Sequence, residues 1–201
     1  MQFELKEIAK TDEKLAMRFA TKGMHLDRYA QGLALRLYAR HFWYLERNKA
    51  TQIIAAYHEG RFVGVLLAQM NGETAPKASL MSRTYVRAFG WVLKLVGGED
   101  AYDSANARML AAYKDSHNPD GELCFLAADP DNPVRGTGSA LLAELERREK
   151  GKLVYLFTDD ACTYQFYDKR GFKRVGEEEI VLGLGKRKMP MTCMLYAKRL
   201  G

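Results

Sequence analysis

The segment from Glu122 to Lys150 constrains the fold of this 201-residue chain more than any other. Leu123 to Ala128 is an apolar run of strand length, and Asp129 to Val134 carries Pro130 and Pro133, which neither a strand nor a helix interior tolerates. A loop must follow the strand. Gly136 and Gly138 come next, and then Leu141, Leu142 and Leu145 recur at helical spacing, with Arg147, Arg148 and Lys150 in the last turn. The order is strand, glycine loop, helix.

That order suits an anion. The backbone N–H groups of Arg135, Gly136, Thr137, Gly138 and Ser139, which follow Val134 in the expected cofactor loop, would converge at a helix N-terminus, where unpaired donors and the helix dipole favour a phosphate or pyrophosphate. Two familiar phosphate loops do not match. The Gly-Lys-Ser/Thr ending of one is absent, and Leu141 stands where the dinucleotide fingerprint needs its third glycine.

The stretch P-V-R-G-T-G-S-A-L-L resembles motif A of the GNAT superfamily of acyl-CoA-dependent N-acyltransferases, Gln/Arg-x-x-Gly-x-Gly/Ala between a strand and a helix. Pro130, six residues before Gly136, stands where these proteins often carry a proline. Pro133 departs from the pattern, replacing Gln or Arg, so the grip on a pyrophosphate falls to Arg135 and the amides after it. A second strand-like run, Leu153 to Phe157, precedes T-D-D-A-C-T-Y-Q-F-Y-D-K-R-G-F, which is similar to the family's motif B. Asp160 occupies the usual Asn position and Thr163 the usual Ala. The resemblance spans Glu122 to Phe172 and is topological elsewhere.

It implies an α/β (α+β) chain of the GNAT fold, a mixed central sheet of about six to seven strands flanked by helices. The whole chain is expected to be a single acetyltransferase domain. Hydrophobic content of 47% and charged content of 28% are ordinary for a globular chain. The net charge of +6 suits a polyanionic ligand, and with no arginine-rich arm nothing points to nucleic acid. Cys124, Cys162 and Cys193 are isolated, and His25, His41, His58 and His117 have no metal spacing, so reduced thiols and no metal are expected. With no apolar run of membrane-spanning length and no signal-peptide plan, the expectation is a cytoplasmic protein without a membrane span.

Along the chain, Phe3 to Ile8 reads as a first strand. A helix capped by Thr11 runs to Gly23, and a longer helix spans Leu26 to Asn48. Thr51 to Tyr57 and Phe62 to Met70 form a hairpin. About 45 residues, Glu73 to Asn118, then intervene as a two-helix insertion between the third and fourth strands, roughly Ala78 to Val96 and Ala101 to Ser116. The first of these helices puts Arg83, Arg87 and Lys94 on one face. Such a helix either lies on a membrane or partner or packs on the sheet as a lid with a solvated basic edge, and the lid is the expectation. The insertion is expected to shape an acceptor pocket or a homodimer contact. Arg174 to Leu182 and Met191 to Lys198 complete the strands.

The chemistry implied is transfer of an acetyl group from acetyl-CoA, a co-substrate, to a primary amine of a small molecule or peptide by direct attack. A lysine-like acceptor of pKa about 10.4 needs about 4.6 kcal/mol to lose its proton at pH 7. The resemblance places the Tyr167 phenol beside the CoA sulfur, as the acid that protonates the leaving thiolate, with Tyr164 as a substitute. Glu122 lies 14 residues before Gly136, the offset of the catalytic glutamate in the histone-acetyltransferase branch, and is the candidate base; the alternative is a strand-end glutamate in solvent. The backbone around Leu126 and Ala128 would pair with the pantetheine amides. Asp160 would either touch the pantetheine or cap the helix that follows. Asp27, Tyr29 and Tyr38 belong to the variable acceptor region. The alternative function is a GNAT-fold sensor or scaffold that binds acyl-CoA without transferring it.

Overall fold

The computed structural model describes residues 3–23, 31–96, 100–184 and 187–201. Seven strands form one mixed sheet in the order β1-β2-β3-β4-β5-β7-β6, with β1 at Glu4–Lys6, β2 at Gln52–His58, β3 at Arg61–Met70, β4 at Gly121–Ala128, β5 at Leu153–Asp159, β6 at Lys173–Leu184 and β7 at Arg187–Arg199. Every neighbouring pair is antiparallel except β4 and β5. The expected number of strands and the helical insertion between β3 and β4 are both present.

Helices cover both faces of the sheet. On one, α1 (Glu13–Gly23) and α2 (Gly32–Lys49) bury Ala16, Phe19, Ala39 and Trp43 against Tyr57, Val65, Leu67, Phe125 and Ala127. The first turn of α1 hangs on the Asp12 carbonyl, which accepts from Leu15 and Ala16, so the cap sits one residue beyond Thr11. Asp12 also accepts from the Tyr57 hydroxyl at 2.8 Å, fixing this helix to β2. The expected start of α2 at Leu26 lies outside the described residues. On the opposite face, α5 (Thr137–Arg148) sends Leu141, Leu142 and Leu145 into a cluster with Ile54, Leu66, Leu123, Leu156 and Tyr196.

The insertion divides its two helices between different supports. α4 (Asp100–Lys114) packs Ala105, Met109 and Tyr113 on Leu182, Cys193 and Leu195 of β6 and β7. α3 (Leu80–Val96) does not cover the sheet as expected of a lid; it packs on α2. The cause is visible in its polar anchors. The Ser82 hydroxyl donates to Asn48 Oδ1 at 3.1 Å, the Tyr85 hydroxyl donates to the Leu37 carbonyl at 3.0 Å, and Phe89 meets the His41 ring at 5.2 Å. These pairings run α3 antiparallel to α2.

Candidate active site

β4 and β5 share only the register pairs Gly121↔Val154 and Glu122↔Tyr155, although β5 stays paired with β7 from Leu153 to Asp159. Beyond Glu122 the two strands diverge, leaving one edge of β4 without a strand partner among the described residues. A bulge contributes to this. Ala68 pairs with Leu123 and Leu67 with Phe125, so Cys124 is the extra residue of β4, and such an insertion bends the strand and increases its twist. The opening between the strands is a cleft of about 590 Å³.

The expected phosphate loop forms one wall. Gly136 has φ +94°, a left-handed conformation in which a side chain is strained, and this turns the chain from the loop into α5. The first backbone amide of α5 with a carbonyl partner is that of Ala140, on Gly136, which leaves the N–H groups of Thr137, Gly138 and Ser139 directed out of the helix end. The helix comes close to the sheet because β3 has a glycine there: a Cβ on Gly64 would lie 2.7 Å from Thr137 Cγ2. Upstream, Asp129 caps the loop by accepting from the Asp131 amide at 3.0 Å. Lys22, near the end of α1, pairs with Asp131 at 2.5 Å.

The cleft brings together most of the residues singled out from the sequence. Leu126, Ala128, Val134, Arg135, Gly136, Thr137, Gly138, Ser139 and Tyr167 all line it. Tyr167 belongs to the short helix α6 (Gln165–Asp168), and its ring packs on Phe166, Phe172 and Tyr196. Burial pushes its phenol above the usual tyrosine range. Tyr164 is not among the lining residues and instead carries the Arg174 guanidinium 5.3 Å over its ring. Asp160 is exposed and accepts from the Thr192 amide at 3.2 Å, so it neither lines the cleft nor caps the following turn. Asp159 does both. It lines the cleft, and its Oδ1 accepts from the amides of Ala161 and Cys162 at 2.9 and 3.1 Å, while burial pushes its carboxyl up from the usual range.

Glu122 sits at the point where the strands part. Its carboxylate takes Lys49 Nζ at 3.3 Å, and the same ammonium lies 2.9 Å from Glu46. Lys49 and Glu46 both come from the last turn of α2, and the pairing with Lys49 makes Glu122 an ion-paired carboxylate, not a solvated strand end. Burial pushes the Glu46 carboxyl up to about 7 despite the opposing pull of Lys49. Burial alone would lower Lys49, but the two carboxylates outweigh it and hold its ammonium above the usual range. Glu46, Glu122 and Cys124 bring potential ligand atoms within 4.8 Å of one another, and the cation that this group holds is the Lys49 ammonium. Tyr155, opposite Glu122, has its phenol pushed up to about 12 by burial and then by the Glu122 charge. Cys124 links this polar group to the cleft it lines.

Several of these residues carried no signal in the sequence. Lys49 and Glu46 lie more than 70 positions before Glu122 and read as ordinary helix-end charges. Tyr102 reaches the cleft from α4, and Arg170 from the turn after α6. The Arg170 guanidinium bonds Ser139 Oγ and lies 5.4 Å over the Phe166 ring, a second cation beside the phosphate loop. Of the acceptor candidates, Tyr38 is half-buried against the α1 and α2 core, and Asp27 and Tyr29 lie outside the described residues.

No family model and no curated protein sequence matches this chain. Solved structures do. An agmatine N-acetyltransferase mutant superposes over all of both chains, with a TM-score of 0.58 and 14% identity. The PaiA N-acetyltransferase of Thermoplasma acidophilum, solved with coenzyme A, matches over 99% of each chain with a TM-score of 0.55 and 14% identity. A structure from Desulfovibrio desulfuricans assigned to the GNAT family covers both chains fully, with a TM-score of 0.51 and 14% identity. This chain has the GNAT fold. The candidate site occupies the cleft between the parted β4 and β5 strands, next to the glycine turn into α5.

Proposed function

We propose that this protein is an N-acetyltransferase that moves the acetyl group of acetyl-CoA to a primary amine by direct attack in a ternary complex. One observation carries the reading. The unpaired edge of β4, the open helix end at Gly136 to Ser139 and the Tyr167 phenol all border one cleft. An unpaired strand edge offers backbone donors and acceptors to an extended amide chain, and a helix end with free N–H groups suits a pyrophosphate. The coenzyme A seen on the same fold in the PaiA enzyme supports that use of the cleft.

In this reading Leu126 and Ala128 offer backbone groups to the pantetheine. The amides from Arg135 to Ser139 hold the pyrophosphate, with Arg135 and Arg170 as flanking cations, while the Val134 amide is held by Asn132 Oδ1 at 2.9 Å. Tyr167 supplies the proton for the departing thiolate, since a phenol is protonated at neutral pH and burial pushes its pKa further up. Glu122 accepts the proton lost by the attacking ammonium, directly or through water, and Lys49 fixes the orientation of its carboxylate. Asp159 holds the turn that carries Tyr167 into place.

Thiol release from acetyl-CoA, followed against amines, polyamines, amino acids and peptides, tests the proposal. Turnover with one acceptor class, abolished or strongly slowed by Tyr167→Phe, is the expected result. Coenzyme A that raises the melting temperature while no amine is acetylated would replace the enzyme by an acyl-CoA-binding sensor.

A further inference from the structure

α3 has two unlike faces, and among the described residues only one of them meets the rest of the protein. Ser82, Tyr85 and Phe89 hold it to α2. The opposite face presents Leu80 at 80% exposure, Met81 at 62%, Trp91 at 67% and Val92 at 45%. Leu80, Met81, Thr84 and Ala88 line an apolar hollow on it, with Tyr85 at its edge toward α2. Arg83 and Arg87 are exposed on the same side of the helix, between the apolar pairs.

The charge pattern selects the occupant. From residue 74 to residue 98 the chain carries Lys77, Arg83, Arg87 and Lys94 and no Asp or Glu. A two-fold pairing of this face with a second copy would bring two sets of Arg83 and Arg87 into one interface, with no carboxylate in the segment to offset them. A surface of anionic lipid supplies the missing charge at every arginine and accepts leucine, methionine and tryptophan at its acyl boundary.

We propose that α3 docks this protein on an anionic lipid surface, lying in the interfacial plane with Leu80, Met81, Trp91 and Val92 toward the acyl chains and Arg83 and Arg87 at the headgroups. The inference does not depend on the proposed enzymatic activity. It requires only the exposed face and its charge.

Trp91 provides the readout, because the other tryptophan, Trp43, is 1% exposed and its emission stays constant. The whole chain is titrated with vesicles of phosphatidylglycerol and phosphatidylcholine, and with vesicles of phosphatidylcholine alone. Trp91 emission is expected to shift to shorter wavelength with the first and far less with the second. The double variant R83Q/R87Q is expected to weaken partitioning by roughly thirtyfold and Trp91→Ser to abolish the shift, both without change in the coenzyme A-induced melting shift. Equal binding to both vesicle types, or no shift with either, overturns the proposal. So does a concentration-dependent dimer, seen by sedimentation without lipid, in which Trp91 is already shielded.

Discussion

Tyr167 and Glu46 are both largely buried, yet burial gives them opposite expected consequences. For Tyr167 it favours the protonated phenol, and the ring, which lines the cleft, packs on Phe172 and Tyr196, contacts that a phenylalanine retains. Tyr167→Phe should therefore fold normally and bind coenzyme A with unchanged affinity while kcat falls by about a hundredfold or more, as measured by thiol release. For Glu46, burial raises the folded-state value from 4.5 to about 7. Below the unfolded value both states are protonated, and stability from this group is complete. As pH rises toward 7 the unfolded chain ionises first, and folding loses at most about 3 kcal/mol. Glu46→Gln keeps the neutral shape at every pH. Its melting temperature relative to the parent should thus rise between roughly pH 5 and pH 8. A constant difference across that range would show that Lys49 keeps Glu46 ionised throughout. Lys49→Met should cost about 3 to 5 kcal/mol, seen in urea unfolding, because it leaves two carboxylates without their shared cation.

At the scale of the element, the glycine loop does what its sequence announces. Proline in the loop, glycine at the turn and leucines at helical spacing are local signals, and the segment Leu123 to Arg148 follows them closely. Gly136→Ala puts a side chain at φ +94°, which costs about 1 to 3 kcal/mol or moves the loop. Coenzyme A affinity, measured by calorimetry, should drop about tenfold. Gly72→Ala imposes similar strain at φ +82° in the turn after β3, which does not line the cleft, and should lower stability without altering that affinity. Other parts of the site were not legible in the sequence because their causes are not local. Asp159 and Asp160 are adjacent and chemically equal, and only the direction of the last β5 residue decides which faces the cleft. The ion pair of Glu122 with Lys49 spans 73 positions and depends on where α2 ends above the sheet. The helical period of α3 was readable, but not the hydroxyl bonds of Ser82 and Tyr85 that place it on α2 and leave its apolar face uncovered.

For the whole molecule, the decisive feature is that the sheet is joined at one end only. β1 to β4 form one antiparallel set and β5 to β7 another, and between them lie two register pairs and the bond from the Asp120 amide to the Leu153 carbonyl at 2.7 Å. The hydrophobic cluster beneath α5 spans both sets through Leu123, Val154, Leu156 and Tyr196, which keeps the halves together where the strands do not pair. A ligand with an amide chain can complete the missing pairing along β4, while its phosphates engage the open end of α5. These two actions are separable by hydrogen exchange. Coenzyme A should slow exchange at cleft-side amides of Leu123 to Ala128 as well as at Thr137, Gly138 and Ser139. Adenosine 3′,5′-bisphosphate, which has phosphates but no pantetheine, should slow neither set as strongly and should leave the β4 amides unprotected. Protection of the β4 amides by both compounds would mean that the halves close together whenever the loop is filled, and that the strand edge is not itself the pantetheine site.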